Sequence, residues 1–293
     1  MAQQLTVETA HVRHFASAEQ VAEELAGVRY LADDATAQTT FLADALSKPL
    51  LLEGPAGTGK TQLALSVAEL TGSRLIRLQC YQGIDEARAL YEWDYRKQLL
   101  AIQRSEDDDV SDVFSEEFLI SRPLLDAVRS EEPVVLLIDE VDQLDVEAEA
   151  LLLEFLSSYQ VSVPELGTVR ATRAPLVFLT SNNNRELSEA LRRRCLFLHV
   201  DYPAPERERE IIKARVPGLS DRLAGRVSET VAAVRSMDLK KNPSVSETLD
   251  WARTLALLGV PEITDETVVS HANILLKHQA DIDLIRNELA PAS

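Results

Sequence analysis

Long apolar runs are missing from this chain of 293 residues. No run approaches the roughly 18 consecutive apolar residues of a membrane-spanning helix, so we expect none. Residues 1–26 carry acidic side chains and no continuous apolar core, which predicts that they are not a signal peptide. The two cysteines, Cys80 and Cys195, are too few for a disulfide framework or a metal-ligand cluster, and we expect packed thiols in a reducing cytosol. We therefore predict a cytoplasmic protein that reaches a membrane only by peripheral association.

Basic residues are fewer than acidic residues, and the formal net charge is −18. A protein that tracks nucleic acid normally carries a basic patch, because contacts with phosphates dominate its affinity. The longest basic cluster is Arg192–Arg194, and Lys240 and Lys241 form a basic pair. We therefore expect no nucleic-acid partner, although a local basic groove on an acidic protein remains an alternative.

Glycine is scarce as well, yet three of the ten glycines fall within six positions, at Gly54, Gly57 and Gly59. They belong to the pattern Gly-x-x-x-x-Gly-Lys-Thr, which lies between the apolar run Leu50–Leu52 and the helix-like segment Gln62–Ala68. A strand, a glycine loop and a helix in this order predict a phosphate-binding loop. Backbone N–H groups can surround a triphosphate only where no Cβ blocks close approach, and the helix start adds unpaired N–H groups.

The residues that we expect to bind ATP are those of this loop and the start of the following helix. Lys60 would bridge the β- and γ-phosphates, and the Thr61 hydroxyl would hold Mg²⁺. The full predicted set is Gly54, Pro55, Ala56, Gly57, Thr58, Gly59, Lys60, Thr61 and Gln62. The alternative is a strand-to-helix turn that binds nothing.

Strands and helices alternate through the first two thirds of the chain. The predicted strands are 50–52, 74–80, 134–140, 176–182 and 196–200. The run 134–138 is apolar throughout, which is typical of a strand buried on both faces of a parallel sheet. The alternation predicts an α/β fold with a doubly wound parallel sheet and ligands at the carboxyl ends of its strands. Only helical segments follow, so we predict two domains, at residues 1–204 and 205–293.

One long helix is predicted over residues 86–103. Its apolar positions are Leu90, Trp93, Leu99 and Leu100. We interpret these side chains as part of the core rather than as the lining of a ligand site.

Two carboxylates, Asp139 and Glu140, directly follow the buried strand. The edge of the sheet would place them beside the phosphate loop. We expect Asp139 to share the Mg²⁺ shell with Thr61, partly through water, and Glu140 to polarise the attacking water. Taken alone, such a pair is often only a solvated turn.

The next strand and helix supply further catalytic candidates. Asn182 ends the strand, where its amide would orient water or contact the γ-phosphate, although Asn182–Asn184 could form only a turn. The cluster Arg192–Arg194 suits the negative end of a helix dipole. The sharper hypothesis is that Arg193 or Arg194 reaches the γ-phosphate of a neighbouring subunit as an arginine finger.

These motifs, in this order, resemble those of an AAA+ ATPase. They are Gly54–Thr61, Leu137–Glu140, Thr180–Asn182 and Ala190–Arg194, followed by a helical domain. The resemblance covers nearly the whole chain. It implies a P-loop NTPase fold with an AAA+ core and a smaller helical lid, a Walker A motif at 54–61, a Walker B motif at Asp139 and Glu140, and sensor 1 at Asn182. It also implies an arginine finger at Arg194 or Arg193 and a hexameric ring of this chain.

Other segments are similar to the MoxR branch of that family. Arg29–Asp33 and Lys48–Pro55 resemble the branch as a whole, and Gln79–Glu86, Leu90–Trp93 and Pro243–Trp251 resemble its CoxD-like members. The resemblance implies a chaperone with a client protein and a von Willebrand factor A-domain partner. The CoxD-like members are linked to the maturation of carbon monoxide dehydrogenase, a molybdenum-copper metalloenzyme.

The predicted lid departs from this branch at one position. Many MoxR relatives carry Gly-x-Ser-Pro-Arg there, with the arginine as sensor 2, whereas this chain has serine at the matching position of Asn242–Ser246. Either Lys240, Lys241 or Arg253 substitutes for that arginine, or lid closure depends less on the γ-phosphate.

The function predicted from these residues is an ATP-hydrolysing chaperone that remodels a client protein. Glu140 and Asn182 would act in cis and an arginine in trans. The alternatives are a nucleotide-switched scaffold with negligible turnover and a DNA-acting motor of the RuvB or clamp-loader kind. The intact Glu140 argues against the scaffold, and the acidic composition argues against the motor.

Overall fold

The computed structural model describes residues 13–104, 114–164 and 166–289. They divide into two compact units. The first unit holds the described residues through Val28, together with Ala32–Glu53 and Thr61–His199; the second holds Arg29–Leu31, Gly54–Lys60 and the described residues from Val200 onward. The predicted domain boundary between residues 204 and 205 remains a prediction.

The first unit is built on a parallel sheet. The strands of the first unit are β1 (Leu50–Glu53), β2 (Arg74–Gln79), β3 (Tyr91–Trp93), β4 (Leu119–Ser121), β5 (Val134–Asp139), β6 (Gln160–Val163), β7 (Gly167–Arg170), β8 (Leu176–Ser181) and β9 (Leu196–His199). Five of them form one sheet in the order β2-β5-β8-β1-β9, and every neighbouring pair in it is parallel. All residues of β5 and β8 are buried, as their apolar runs predict. The predicted α/β fold with a parallel sheet is therefore confirmed.

Helices connect these strands, and their ends follow local sequence signals. They are α1 (Ala18–Gly27), α2 (Asp34–Leu46), α3 (Lys60–Thr71), α4 (Glu86–Ala89), α5 (Tyr95–Arg104), α6 (Pro123–Arg129), α7 (Val146–Ser158) and α8 (Glu189–Arg192). The side chains of Ser17, Asp33 and Asp145 cap the first turns of α1, α2 and α7. Helices α2 and α7 end at the left-handed residues Ser47 and Tyr159. No helix in the described part of the chain has both the length and the apolarity to cross a membrane.

The parallel register brings the ends of three strands to one edge of the sheet. Ile138 of β5 lies opposite Leu179 of β8, and Ser181 at the end of β8 lies opposite Glu53 at the end of β1. The segments that follow β5 and β8 therefore start beside each other, although 40 or so residues separate them along the chain. This edge positions the carboxylates and the polar side chains of the candidate site.

The predicted single helix over residues 86–103 is wrong. The structure has the short helix α4, the strand β3 and then the helix α5, because β3 pairs antiparallel with β4. Trp93 and Leu90 are buried as expected, whereas Leu99 and Leu100 are 60% and 48% exposed. Hydrogen bonding to a distant strand overrides the local helical pattern here, since strand propensity depends strongly on tertiary context.

From Pro205 to Glu288 the second unit is helical in every described element. Its helices are α9 (Pro205–Arg215), α10 (Asp221–Arg235), α11 (Val245–Leu257), α12 (Asp265–Ser270), α13 (Ala272–Leu275) and α14 (Gln279–Glu288). Trp251, Leu255, Val227 and Val231 are fully buried in its core. The predicted helical part after the sheet is thus confirmed, and its helices are held together by their own apolar core.

Candidate functional site

All three glycines of the predicted phosphate loop have φ values that favour glycine, and at two of them an added side chain would also clash. Gly57 has φ +76°, and a Cβ there would stand 2.3 Å from the Cβ of Ser244. A Cβ on Gly54 would stand 2.0 Å from the carbonyl oxygen of Val200. Both glycines are therefore needed for close contacts within the second unit. The sequence interpretation, which assigned them only to phosphate approach, did not anticipate these contacts.

Lys60 is held against the backbone of the loop. It begins α3, is only 5% exposed, and its Nζ donates to the carbonyl oxygens of Gly54 at 2.8 Å and Pro55 at 2.6 Å. The hydroxyl of Thr58 donates to the same Pro55 oxygen at 3.1 Å. The loop thus carries its cation in place, as a site for polyphosphate requires.

Thr61 and Asp139, the two predicted Mg²⁺ ligands, lie in direct contact. The Thr61 hydroxyl donates to Asp139 Oδ1 at 3.0 Å, although 78 positions separate the two residues. The same oxygen accepts from the Thr180 hydroxyl at 2.5 Å, and Asp139 Oδ2 accepts from Arg77 Nη2 at 2.5 Å. Asp139 is 3% exposed, so this carboxylate is buried, and both of its oxygens accept hydrogen bonds.

These two side chains suit Mg²⁺. The cation prefers hard oxygen ligands and is usually held by one or two carboxylates, with substrate phosphates and water completing its shell. A threonine hydroxyl and a carboxylate 3.0 Å apart provide such oxygens. In the described ranges there is no cluster of three or more His, Cys, Asp or Glu residues placed to hold a metal.

Glu140 stands immediately after β5 in a left-handed backbone conformation, with φ +57°. Its N–H donates to the Thr180 hydroxyl at 2.9 Å, and its carboxylate accepts from Gln79 Nε2 at 3.0 Å. A non-glycine residue in this conformation costs about 1–3 kcal/mol and persists only where its surroundings enforce it. Thr180 and Gln79 supply that constraint, so the carboxylate is held in one orientation.

Asn182 is half-buried and follows β8, the strand next to β5. Within the described residues its side-chain amide has no hydrogen-bond partner. Its neighbour Asn184 instead donates to Asp142 Oδ2 through both its backbone N–H and its Nδ2, at 2.9 Å each. Asn184 thus anchors the turn after β8 to Asp142.

The three clustered arginines have different partners. Arg192 pairs with Glu53 at 2.7 Å, which ties it to the end of β1. Arg194 donates to Ser157 Oγ at 2.6 Å and to the Ala190 carbonyl oxygen. The Arg193 side chain is 77% exposed, and its partner among the described residues is Glu189, in an i,i+4 ion pair at 2.8 Å. Such an exposed pair is weak, so Arg193 can readily exchange it for another partner.

Three residues around the carboxylates were not identified from the sequence: Arg77, Gln79 and Thr180. Arg77 and Gln79 occupy exposed alternate positions of β2, and Gln79 is the register partner of Asp139. The alternation of β2 was visible in the sequence, but its pairing with β5 was not. Thr180 precedes Asn182 by two positions, and its role also depends on which strand lies beside β8.

The thiols are inert. Burial, together with the negative charges of Asp139, Asp142 and Glu140, raises the pKa of the Cys80 thiol to about 12. Burial likewise raises the pKa of Cys195 to about 12. Neither is in a disulfide, as predicted, and both are protonated at neutral pH, which rules them out as nucleophiles there.

Comparison with known proteins identifies one family model. The model of the AAA domain (dynein-related subfamily) matches residues 49–195, which contain the phosphate loop, both carboxylates, Asn182 and the arginine cluster. No curated protein matches the chain. Among solved structures, two mutants of RuvB from Thermotoga maritima are 18% and 19% identical, cover 91% and 90% of this chain and 74% and 73% of theirs, and have TM-scores of 0.47 and 0.46. A third, described as the Thermotoga maritima RuvB Holliday junction branch migration motor, is 17% identical, with 88% of this chain and 69% of that one covered and a TM-score of 0.45.

Proposed function

Because the chain belongs to the family of AAA domains of the dynein-related subfamily, we propose that it hydrolyses ATP in a Mg²⁺-dependent reaction. The observation that carries the proposal is the shared hydrogen bond of Thr61 with Asp139, directly beside the constrained Glu140. In this proposal Thr61 and Asp139 hold Mg²⁺, and Glu140, the residue after Asp139, acts as the general base, which are the roles that phosphoryl transfer to water requires.

Each residue of the site has a separate task in this proposal. Lys60 and the backbone N–H groups of the loop bind the phosphates, and Thr61 with Asp139 holds Mg²⁺, which neutralises charge on the phosphate oxygens when bound. Glu140 accepts hydrogen bonds from the attacking water and polarises it. Asn182 orients that water or contacts the γ-phosphate.

The hydrolysis drives the remodelling of a client protein in the proposal. Its support is the set of segments that resemble the MoxR branch and its CoxD-like members, above all Pro243–Trp251. The proposed partners are other copies of this chain in a hexameric ring, a von Willebrand factor A-domain protein and a client such as a molybdenum-copper carbon monoxide dehydrogenase. The proposed location is the cytoplasm, with membranes reached only through such partners.

Two alternative functions predict different experimental results. A nucleotide-switched scaffold would bind ATP and turn it over negligibly, and a DNA-acting motor would shift labelled DNA in a salt-dependent way. The net charge of −18 disfavours the motor. The constrained Glu140 beside Asp139 disfavours the scaffold, because a switch has no need of a positioned base.

The test of the proposed function is the ATPase rate per protomer, measured with Mg²⁺ over a range of protein concentrations. A rate that climbs with concentration supports active sites completed between subunits. A rate per protomer that is nonzero but independent of protein concentration supports the ATPase activity and contradicts the arginine finger. If ATP binds but no hydrolysis is found at any protein concentration, the nucleotide-switched scaffold becomes the supported function.

Arginine substitution should reveal which residue acts between subunits. We expect either Arg193→Ala or Arg194→Ala to lower turnover by about 10³-fold, the low end of what arginine fingers contribute in GTPases. The control is Arg222→Ala, which removes another exposed arginine, 79% accessible, from its ion pair with Glu262. A mixture of the finger variant with Glu140→Gln should regain activity, because one subunit then supplies the base and its neighbour the arginine. Mixtures that remain inactive would contradict a site shared between subunits.

Arg77 competes with Mg²⁺ for the Asp139 carboxylate. Its guanidinium occupies Oδ2 at 2.5 Å but is 51% exposed, so solvent weakens the pair. We expect Arg77→Met to lower the Mg²⁺ concentration for half-maximal ATPase by about fivefold, which corresponds to roughly 1 kcal/mol. Arg74→Met is the matched control, since Arg74 lies on the same strand and pairs with Asp126 instead. An unchanged or increased Mg²⁺ requirement in Arg77→Met would show that the arginine does not compete.

A further inference from the structure

The start of α11 is joined to the phosphate loop by main-chain contact. The N–H of Val245 donates to the carbonyl oxygen of Gly57 at 3.1 Å. Ser244 lies so close that a Cβ on Gly57 would stand 2.3 Å from its Cβ and 2.7 Å from its Oγ. All three residues belong to the second unit. The carbonyl of Gly57 is thus held in one direction by the first N–H of a helix.

This contact fixes a phosphate-binding donor. The carbonyl of Gly57 and the N–H of Thr58 belong to one trans peptide unit, in which the two groups point in opposite directions. When the carbonyl faces Val245, the Thr58 N–H must face away from α11. The helix therefore sets the orientation of one of the backbone donors assigned to the phosphates.

The turn before α11 is itself rigid. Ser244 is 7% exposed and forms a reciprocal cap with Glu247: its Oγ accepts from the Glu247 N–H at 3.3 Å, and its own N–H donates to Glu247 Oε2 at 2.7 Å. Both hydrogen bonds hold the serine backbone in the extended conformation of a helix N-cap. Val245 consequently presents its N–H to Gly57 from a fixed position.

A buried arginine holds this turn from the other side. Arg235 Nε donates to the carbonyl oxygen of Pro243 at 2.8 Å, while its two terminal nitrogens bind both carboxylate oxygens of Glu208 at 2.7 and 2.8 Å. Its side chain is 9% exposed and that of Glu208 is fully buried. The guanidinium also lies over the ring of Tyr202, 4.5 Å from its centroid. Only a planar fork donates along both edges in this way, so lysine is no substitute.

The cationic residues considered as replacements for the missing arginine are engaged elsewhere or exposed. Arg253 pairs with Asp250 at 2.9 Å on the solvent side of α11. The backbone N–H groups of Lys240 and Lys241 both donate to the carboxylate of Asp281, which directs this segment toward α14. The contact with the loop is made instead by the backbone that precedes and begins α11.

From this geometry we infer that Arg235 and Ser244 are positioning residues that couple helices α9, α10 and α11 to the phosphate loop through the Val245–Gly57 hydrogen bond. The inference rests on the proposed ATP binding by the loop. The main-chain bond takes the place that the MoxR resemblance gives to an arginine at Ser246. Coupling of this kind is reciprocal, so nucleotide binding should in turn stabilise the start of α11.

One substitution removes this bond and keeps the start of the helix. Val245 is the first residue of α11, where proline is well tolerated, and Ser244 before it has φ −78° and ψ 169°, which proline also permits. Val245→Pro therefore deletes the donor without breaking the helix, and its ring, which replaces the hydrogen, also displaces the Gly57 carbonyl. Val146→Pro is the matched control, because Val146 begins α7 after Asp145, whose φ −77° and ψ 170° are nearly identical.

The primary measurement is affinity for a fluorescent ATP analogue. We expect Val245→Pro to weaken binding about tenfold and Val146→Pro to leave it unchanged, with both variants folded at the temperature of the measurement. Arg235→Lys should also weaken binding, while Arg253→Lys should not. Combining Val245→Pro with Arg235→Lys should add little, since both act through one contact. Equal affinities for Val245→Pro and the wild type, or equal losses in both proline variants, would overturn the inference.

Hydrogen exchange without nucleotide separates this inference from the proposed function. We expect faster exchange over residues 54–60 in Val245→Pro but not in Val146→Pro. If the wild type binds no ATP analogue, the proposed function fails, and faster exchange would still establish the contact as a positioning device for the loop. Unchanged exchange in Val245→Pro would overturn the inference whether or not ATP binds.

Discussion

Replacing Glu140 with glutamine should lower ATP turnover by about 10²–10⁴-fold and leave ATP affinity unchanged. The amide has the size of the carboxylate but no longer accepts a proton or polarises water strongly. Binding should survive because Glu140 lies outside the phosphate loop and the two predicted Mg²⁺ ligands. The loss therefore concerns the chemical step alone.

The structure indicates that this variant folds. The left-handed backbone of Glu140 is held through its own N–H, which donates to Thr180, and this bond does not involve the side chain that changes. A glutamine oxygen can still accept from Gln79 Nε2, so that hydrogen bond is also retained. The substitution thus isolates proton acceptance from positioning.

The measurement is single-turnover hydrolysis together with the affinity of a fluorescent ATP analogue. Glu131→Gln serves as the control, because it makes the same change at an exposed residue before β5. Turnover in Glu140→Gln close to that of the wild type would remove Glu140 as the base. Weakened binding would instead assign it a role in holding the nucleotide.

Lys60→Ala is expected to weaken nucleotide binding by about 100-fold, since hydrogen bonds from charged groups contribute roughly 1.5–3 kcal/mol each. The lysine ammonium is already in the loop, donating to the carbonyl oxygens of Gly54 and Pro55. Alanine leaves the loop without its ammonium group, and the phosphate charge is then balanced only by backbone dipoles and Mg²⁺. Turnover should be lost together with binding.

Thermal unfolding gives a direct readout for Lys60→Ala. A ligand at about 100 times its Kd stabilises the folded protein by about 2.7 kcal/mol, so the wild-type Tm should rise on addition of Mg-ATP. We expect Lys60→Ala to lose that rise and the exposed control Lys48→Ala to keep it. A rise of the same size in Lys60→Ala would show that ATP binds elsewhere.

Much of the fold could be predicted because its signals are local. The runs 134–138 and 176–179 are apolar at every position, and each became a strand buried on both faces. Residues 86–103 were mispredicted because their apolar residues, which recur at helical spacing, were interpreted as one face of a helix. Trp93 lies instead in a strand whose partner, Leu119, is remote in the chain. Strand pairing at such separations leaves no local pattern to read.

The residues of the candidate site also fall into those that local sequence signals could assign and those that they could not. Lys60, Thr61, Asp139 and Glu140 could be assigned from the sequence, because a glycine loop before a helix and carboxylates after a buried strand are contiguous signals. Arg77 could not be assigned, since its contact with Asp139 spans 62 positions and depends on the pairing of β2 with β5. The same limit applies to every partner that reaches the site from another strand or helix.

The sequence by itself determined the class of fold, the phosphate loop and the two carboxylates, because each is specified by neighbouring residues and by the short-range physics of strands, turns and helix ends. The tertiary structure alone decided what surrounds them. It placed Thr180 and Arg77 on Asp139, enforced the left-handed backbone of Glu140, and set Ser244 against Gly57. Such contacts arise from the order of strands in the sheet and from the packing of helices, where the entropy cost of closing long loops is offset by burial of the whole core.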